Sequence, residues 1–416
     1  MAERDDEQAG CEKVRDYMQD ILSLLSNVDK IEFEQFSMEI GDLELWIPAG
    51  NVSSRLAPNL VTVSTPSIIE EKPSTLLEET YTPPSEKFPG RIHEVKLGAT
   101  KKDGGSRRNS FIIGGSDSPP FVYSDRPPKH LPVFAMDVFD TSIPLPMSIK
   151  TGIEDVMEDP AEWARRNVKK FGADMVTVHL VSTDPLGKDS SPADAARTVE
   201  NVLQAVDVPL IIGGSGDPQK DAKVFAKVAE ATAGERLLFN SVTLDMVSAN
   251  IIENVTRAIK TNGHAVIGLT GLELNKAKEL NRRLLEYLPP EDIVMDLTTV
   301  ALGYGLEYSF TIHERARHAA LMGDEELQQP TISAASNAWV AREARMKMDA
   351  QYGPRELRGP LWETTTALTL LLAGVDIFMM THPTTIKTLK EIVQMLTQKD
   401  AVMQSGLNTC WSTARI

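Results

Sequence analysis

From Leu131 onward the chain alternates between two hydrophobic rhythms. Short runs of consecutive apolar residues recur at PVFAMDVFD (132–140), DMVTVHL (174–180), VPLIIGGSG (208–216) and RLLFNSVT (236–243). They continue at HAVIGLT (264–270), DIVMDLT (292–298), TISAAS (331–336) and DIFMMTHP (376–383), which makes eight. Between them lie segments such as PAEWARRNVKKFG and SPADAARTVENVLQAV, whose apolar positions follow the period of an amphipathic helix. Several open on a Ser-Pro or Asp-Pro pair, which supplies an N-cap acceptor and a first-turn proline, and several close on glycine. A strand apolar on both faces must be covered on both, and a parallel sheet with crossover helices does that. The pattern therefore predicts an α/β fold, a (β/α)8 TIM barrel, over residues 131–398. An open doubly wound sheet is the runner-up, since one sequence does not reveal strand order.

Before Leu131 the rhythm differs. Val14, Tyr17, Met18, Ile21, Leu22 and Leu25 fall at helical spacing, and KIEFEQFSMEIGDLELWIP alternates around Gly41-Asp42 like a strand pair. Residues 1–61 thus read as an acidic accessory α+β segment. Residues 62–90, rich in Pro, Ser, Thr and Glu, read as a linker or surface strap. Residues 91–130 offer the strands IHEVKL and SFIIGG around TKKDGGSRR, a β-hairpin leading into the barrel. Residues 399–416 form a C-terminal tail.

Composition narrows the function classes. The net charge of -16 argues against nucleic acid or an anionic membrane as partner. Residues 1–50 alone carry thirteen acidic side chains against four basic ones. A solvated charged helix explains that excess most simply, and a docking arm for other subunits is the functional alternative. The two cysteines, Cys11 and Cys410, are too few and too far apart for an iron–sulfur cluster or a Cys-type zinc site. They form no disulfide framework, so a reducing cytoplasm is expected. MAERDDEQAG has no apolar core of a signal peptide, and the longest apolar run, ALTLLLAGV, reads as a buried helix.

In such a barrel the functional face lies at the carboxyl ends of the strands. Those ends are polar here: Asp137 and Asp140, His179 to Thr183, Gly213 to Asp217, Asn240 to Asp245, Thr270, Asp296 to Thr299, Ser333 to Asn337, and Thr381-His382. For any one position the ordinary explanation suffices, because small polar residues suit βα turns and N-caps. A ring of convergent polar groups is also what a ligand site requires. This ring is rich in Asn, Ser and Thr and poor in Lys, Arg, Glu and Cys, which suits a large polar organic ligand with amides or a pteridine edge. No strand-end lysine offers a Schiff base.

Three tempting motifs fail. In HERARH, His313 and His318 are five apart, about 140° around a helix, so they share no metal-binding face and read as helix-surface residues. GGSGDP (213–218) lacks both the dinucleotide register and the phosphate-loop lysine, leaving a tight turn or a close backbone approach to a planar ligand. Asp137 and Asp140, three apart on a strand, point to opposite faces, so at most one reaches the barrel mouth.

The run from LPVFAMDVFDT through FNSVTLD to MMTHP, with FIIGGSDSPPF before it, resembles the small subunit of the corrinoid iron–sulfur protein. In archaea this is the delta subunit of the acetyl-CoA decarbonylase/synthase complex. The resemblance spans most of residues 88–395 and implies kinship with pterin-binding methyltransferase barrels. Asn240-Ser241 matches the Asn-Ser that ends their fourth strand near the pterin. Where those enzymes carry an aspartate at the end of strand three, this chain has Gly213-Gly214. The resemblance then implies a mouth that faces a corrinoid carried by the large (gamma) subunit, which also holds the iron–sulfur cluster. Asn240, Thr243, Thr298, Ser333, Asn337 and His382 are the residues expected to face it, none with a bond-making role. A pterin-dependent methyltransferase and a purely architectural subunit are the competing expectations.

Overall fold

The computed structural model describes residues 87–120 and 128–397. The helix expected at residues 12–26, the KIEFEQFSMEIGDLELWIP strand pair, nearly all of the 62–90 strap, both cysteines and the 399–416 tail lie outside the described residues.

Eight parallel strands close into a barrel. They are β3 (Val133–Phe139), β4 (Met175–His179), β5 (Leu210–Gly213), β6 (Leu238–Val242), β7 (Ala265–Leu269), β8 (Ile293–Asp296), β9 (Thr331–Ala334) and β10 (Ile377–Met380). β10 pairs in parallel with both β9 and β3, which closes the ring and excludes the open sheet. A helix follows each strand: α1 (Pro160–Lys169), α2 (Pro192–Ala205), α3 (Pro218–Ala231), α4 (Ile252–Thr261), α5 (Leu274–Leu285), α6 (Leu306–Leu321), α7 (Arg355–Leu372) and α8 (Pro383–Thr397). The Asp/Ser-Pro signals act as expected. Asp159, Ser191 and Asp217 cap α1, α2 and α3 by accepting backbone N–H groups, each cap contributing about 1 kcal/mol.

Side-chain alternation divides the strands between two cores. Val133, Ala135, Met175, Ile211, Leu238, Ala265, Ile267, Val294, Ile332, Ile377 and Met379 pack in the barrel interior. Phe134, Met136, Phe378 and Met380 point outward beneath α7 and α8. On the opposite flank Phe239 meets Phe225 of α3 edge to face at 5.4 Å. Such a pair adds about 1 kcal/mol beyond its buried area.

The expected hairpin is present, with β1 (Glu94–Leu97) antiparallel to β2 (Phe111–Gly114). Its inward residues Val95, Leu97 and Ile113 join the interior core, and its backbone bonds Glu235, Arg236 and Asp207, which precede strands. The hairpin therefore plugs the amino end of the barrel, leaving the carboxyl end as the mouth. Gly98 (φ 78) permits the close approach, since a Cβ there would lie 2.5 Å from Pro209.

One expectation is corrected. His318 is exposed on α6, but His313 is buried, with neither ring nitrogen hydrogen-bonded. Its neighbours Ile312, Ala316 and Ala320 belong to the core beneath α6, so the helix turns His313 inward. Burial lowers its pKa to about 3, and it is held neutral.

Candidate functional site

The two-residue alternation that fills the barrel also selects which polar groups reach its mouth. On β3 the inward series Val133, Ala135 ends in Asp137, while Asp140 beyond the strand ties the Ser182 backbone N–H (2.9 Å) and hydroxyl (2.6 Å). Asp137 Oδ1 lies 2.9 Å from His179 Nε2, and its Oδ2 accepts the Thr381 hydroxyl at 3.1 Å. Three strands thus meet at one buried carboxylate. His179 is 23% exposed, and its ring stacks on Phe139 with centroids 4.8 Å apart.

Beneath this group lies a residue the strand pattern does not reveal. Glu363, halfway along α7, has no solvent exposure and accepts the backbone N–H groups of Thr381 (2.7 Å) and His382 (3.1 Å). Burial pushes its pKa up to about 7 against the pull of those donors, and nearby Asp137 pushes the same way. A single acid inside the apolar run WETTTALTLLLAG was the available signal, since buried acids require a partner.

The expected contact residues separate into groups. Asn240 faces the barrel interior, where its amide nitrogen makes only a long 3.8 Å contact to Met379 Sδ. The Thr243 hydroxyl is buried without a hydrogen-bond partner. Asn337 is exposed on the rim, and its amide nitrogen donates to Thr299 O at 3.0 Å. The other three stand behind the rim. Ser333 pairs in register with the outward Phe378, is fully buried and shares a 2.8 Å bond with the Thr299 hydroxyl. Thr298 sits at φ 72, costly for a β-branched residue, and is held by Asp296 Oδ1 (2.8 Å) and by its own hydroxyl on Thr270 O (2.7 Å). His382 is buried against Trp339, accepts the Thr384 N–H at 3.2 Å, and has its pKa lowered to about 4 by burial. Asp296 ends β8 on the inward side, and burial raises its pKa to about 6.

The glycines of GGSGDP are occupied by the protein itself. A Cβ on Gly214 would lie 2.4 Å from the Asp221 carboxylate, which accepts Ser215 N, Ser215 Oγ and Gly216 N. A Cβ on Gly213 would stand 3.1 Å from His179 Nδ1. The turn reading holds for Gly214, and Gly213 makes room beside the histidine.

Around the mouth, apolar side chains project into solvent. Met147, Leu186 and Leu272 lie on loops after β3, β4 and β7, and Leu186 is 98% exposed. Tyr304 and Tyr308 follow β8, and Val340, Met346 and Tyr352 follow β9. These are eight of the fourteen exposed large hydrophobic residues among those described, so the mouth is the most apolar-rimmed face. The β8 and β9 loops brace each other, with Tyr304 OH between Glu343 and the Arg342 N–H, each at 3.2 Å. A groove of about 600 Å³ at the ends of α1, α2 and α3 is lined instead by Arg165, Lys169, Glu200 and Asp207. Among the described residues no cluster of three or more His, Cys, Asp or Glu could hold a metal, and no helix is long and apolar enough to cross a membrane.

The chain is similar in sequence to known proteins. The subunit delta of the acetyl-CoA decarbonylase/synthase complex of Archaeoglobus fulgidus is 49% identical over 339 residues, 80% of this chain and 74% of that protein. The protein of the same name from Methanothermobacter thermautotrophicus is 45% identical over 387 residues, 92% of this chain and 94% of its own. Among solved structures, dihydropteroate synthase from Thermus thermophilus superposes with a TM-score of 0.41 at 14% identity, covering 72% of this chain and 99% of that one. Residues 94–352 match the family described as CO dehydrogenase/acetyl-CoA synthase delta subunit, and the chain belongs to that family.

Proposed function

We propose that this chain serves as the delta subunit of an acetyl-CoA decarbonylase/synthase complex. Its barrel mouth forms one wall around a corrinoid carried by the large (gamma) subunit, during methyl transfer between a tetrahydropterin and the acetyl-CoA synthase metal cluster. The observation that carries this reading is the mouth itself: inward hydrogen-bonding groups ringed by exposed apolar side chains. A rim of that kind marks a surface to be covered. A small ligand alone would leave the outer rim wet, whereas a protein partner presenting a large cofactor covers both.

The residues fit such a group. Asn240 keeps nearly all its amide capacity free, the Thr243 hydroxyl is unpartnered, and Asn337 reaches the rim. These three would meet the amide side chains that surround a corrin ring. Thr298, Ser333 and His382 act from behind, bracing the loops after β7, β8 and β9, and Asn337 is tied to the same group through Thr299. When bound, the corrinoid supplies a reducible cobalt that takes up and releases a methyl group. This chain contributes orientation and exclusion of water. Co-assembly with the other subunits of the complex, in the cytoplasm, belongs to the same proposal.

A second reading is favoured by Asp296 and Asn240, which place a carboxyl and an amide on the same inward side. That combination could take the edge of a tetrahydropterin bound by this chain alone. Mixing the purified chain, with and without its gamma partner, with methylcobamide and with methyl-tetrahydropterin separates the two. Spectroscopically detected corrin retained only when both chains are present supports the first reading. Pterin binding by the isolated chain would overturn it.

A further inference from the structure

We propose that His179 is the proton-exchanging group of the barrel mouth, acting through Nδ1 on an amine nitrogen presented there, with Asp137 as its positioning residue. The inference rests on reading the mouth as the face where methyl transfer occurs.

Four observations converge. First, the buried Asp137 carboxylate lies 2.9 Å from His179 Nε2. A carboxylate accepts, so the ring proton sits on Nε2 and the lone pair on Nδ1. Second, the ring cannot turn freely, because it stacks on Phe139 at an interplanar angle of 15°. Third, Nδ1 lies beside Gly213, the one strand-end residue whose missing side chain leaves that atom uncovered, since a Cβ would stand 3.1 Å away. Fourth, Asp137 is itself held by the Thr381 hydroxyl, and Thr381 by Glu363 through its backbone N–H. The carboxylate cannot swing away when the imidazole changes charge. His382, the other strand-end histidine, is buried and already bonded to the Thr384 N–H.

The titratable groups around His179 are Asp137 from β3 and, one hydrogen-bonded residue further, Glu363 from α7. Asp296 of β8 stands on the same inward side of the barrel. None of these three is a cation, and only Asp137 touches the ring.

The step balances for a tertiary amine that loses its methyl group to an anionic nucleophile supplied by the partner. The N–CH3 bond breaks with its electron pair left on nitrogen. The Nδ1–H bond of imidazolium breaks, and that proton goes to the same nitrogen. A secondary amine and a neutral His179 result, with Nε2–H still on Asp137. In the reverse direction His179 takes the proton back.

The test uses the full chain assembled with its cobamide-bearing partner. His179→Gln is expected to slow single-turnover methyl transfer about 100-fold and to remove the fall in rate at rising pH, with donor KM changed less than twofold. Gly213→Ala keeps both dyad residues and crowds Nδ1, so a loss of about tenfold is expected from it. Ring nitrogen-15 spectra of the histidine-labelled chain should show the Nε2–H tautomer, shifting toward Nδ1–H in Asp137→Asn. A wild-type rate and pH profile in His179→Gln, or an Nδ1–H tautomer in the wild-type chain, would overturn the proposal. If partner binding leaves the His179 ring signals and the mouth loops unchanged, the functional reading fails with it. A normal His179→Gln rate in a complex whose mouth loops are covered sinks the proton role alone.

Discussion

Glu363 holds the backbone N–H of His382 at 3.1 Å, so a buried carboxyl on a helix fixes the backbone at the end of a neighbouring strand. It holds Thr381 in the same way, at 2.7 Å. With its pKa pushed up to about 7, folded Glu363 keeps a proton that the unfolded chain has released by then. The stability linked to that proton is complete below the ordinary glutamate pKa and is lost as pH rises toward about 7. Denaturation midpoints measured at pH 5 and pH 8 should therefore differ more in the wild type than in Glu363→Gln. An equal difference in both proteins would show that Glu363 folds ionised.

The Asp221 carboxylate closes the glycine turn with bonds of 2.7, 2.8 and 2.8 Å to Ser215 and Gly216. Asp221→Ala should cost about 3 kcal/mol in chemical denaturation, because buried donors lose a charged acceptor. Gly214→Ala should cost as much, its methyl colliding with the same carboxylate. The double variant should be less destabilised than the sum, since the collision disappears with the carboxylate. Strict additivity would mean that the glycine serves something other than Asp221.

His313 presents both ring nitrogens, unpartnered, to an apolar core. Replacing it with leucine should raise stability by about 1–2 kcal/mol at neutral pH, since no buried polar atom is then left unpaired. The sign also sets a pH dependence. Because burial holds the folded pKa at about 3, the wild type loses stability as pH falls from the ordinary histidine value toward that point. His313→Leu should lose less over the same range. A destabilised leucine variant in thermal unfolding would contradict the unpaired, neutral state.

Tyr308, in the first turn of α6, and Val340, in the segment after β9, are 64% and 70% exposed at the mouth. Tyr308→Glu with Val340→Glu should leave the melting temperature unchanged and weaken binding of the gamma partner at least 10-fold in calorimetry. Undiminished affinity would place the interface elsewhere.

Much of the fold was legible because each barrel strand is a continuous apolar run and the helices are amphipathic. The three Asp/Ser-Pro caps marked helix starts at the correct residues. The site was less legible. Nothing in the apolar run TISAAS tells that Ser333 shares the outward face of Phe378 while Ile332 points inward, because both faces are buried. Nor does a strand-end reading find Glu363, which comes from a helix and meets Thr381 only through tertiary packing. His179 was visible as one polar strand end among several. Its distinction depends on Asp137 and Gly213, which barrel closure places on either side of it.

Hydrogen exchange read by mass spectrometry, with and without the cobamide-loaded gamma partner, tests the central claim most directly. New protection is expected in the loops at 181–191, 270–273, 297–305 and 335–352, which rim the mouth. Unchanged exchange there, with protection instead around Arg165, Lys169 and Asp207 at the other end of the barrel, would contradict a mouth that walls the corrinoid.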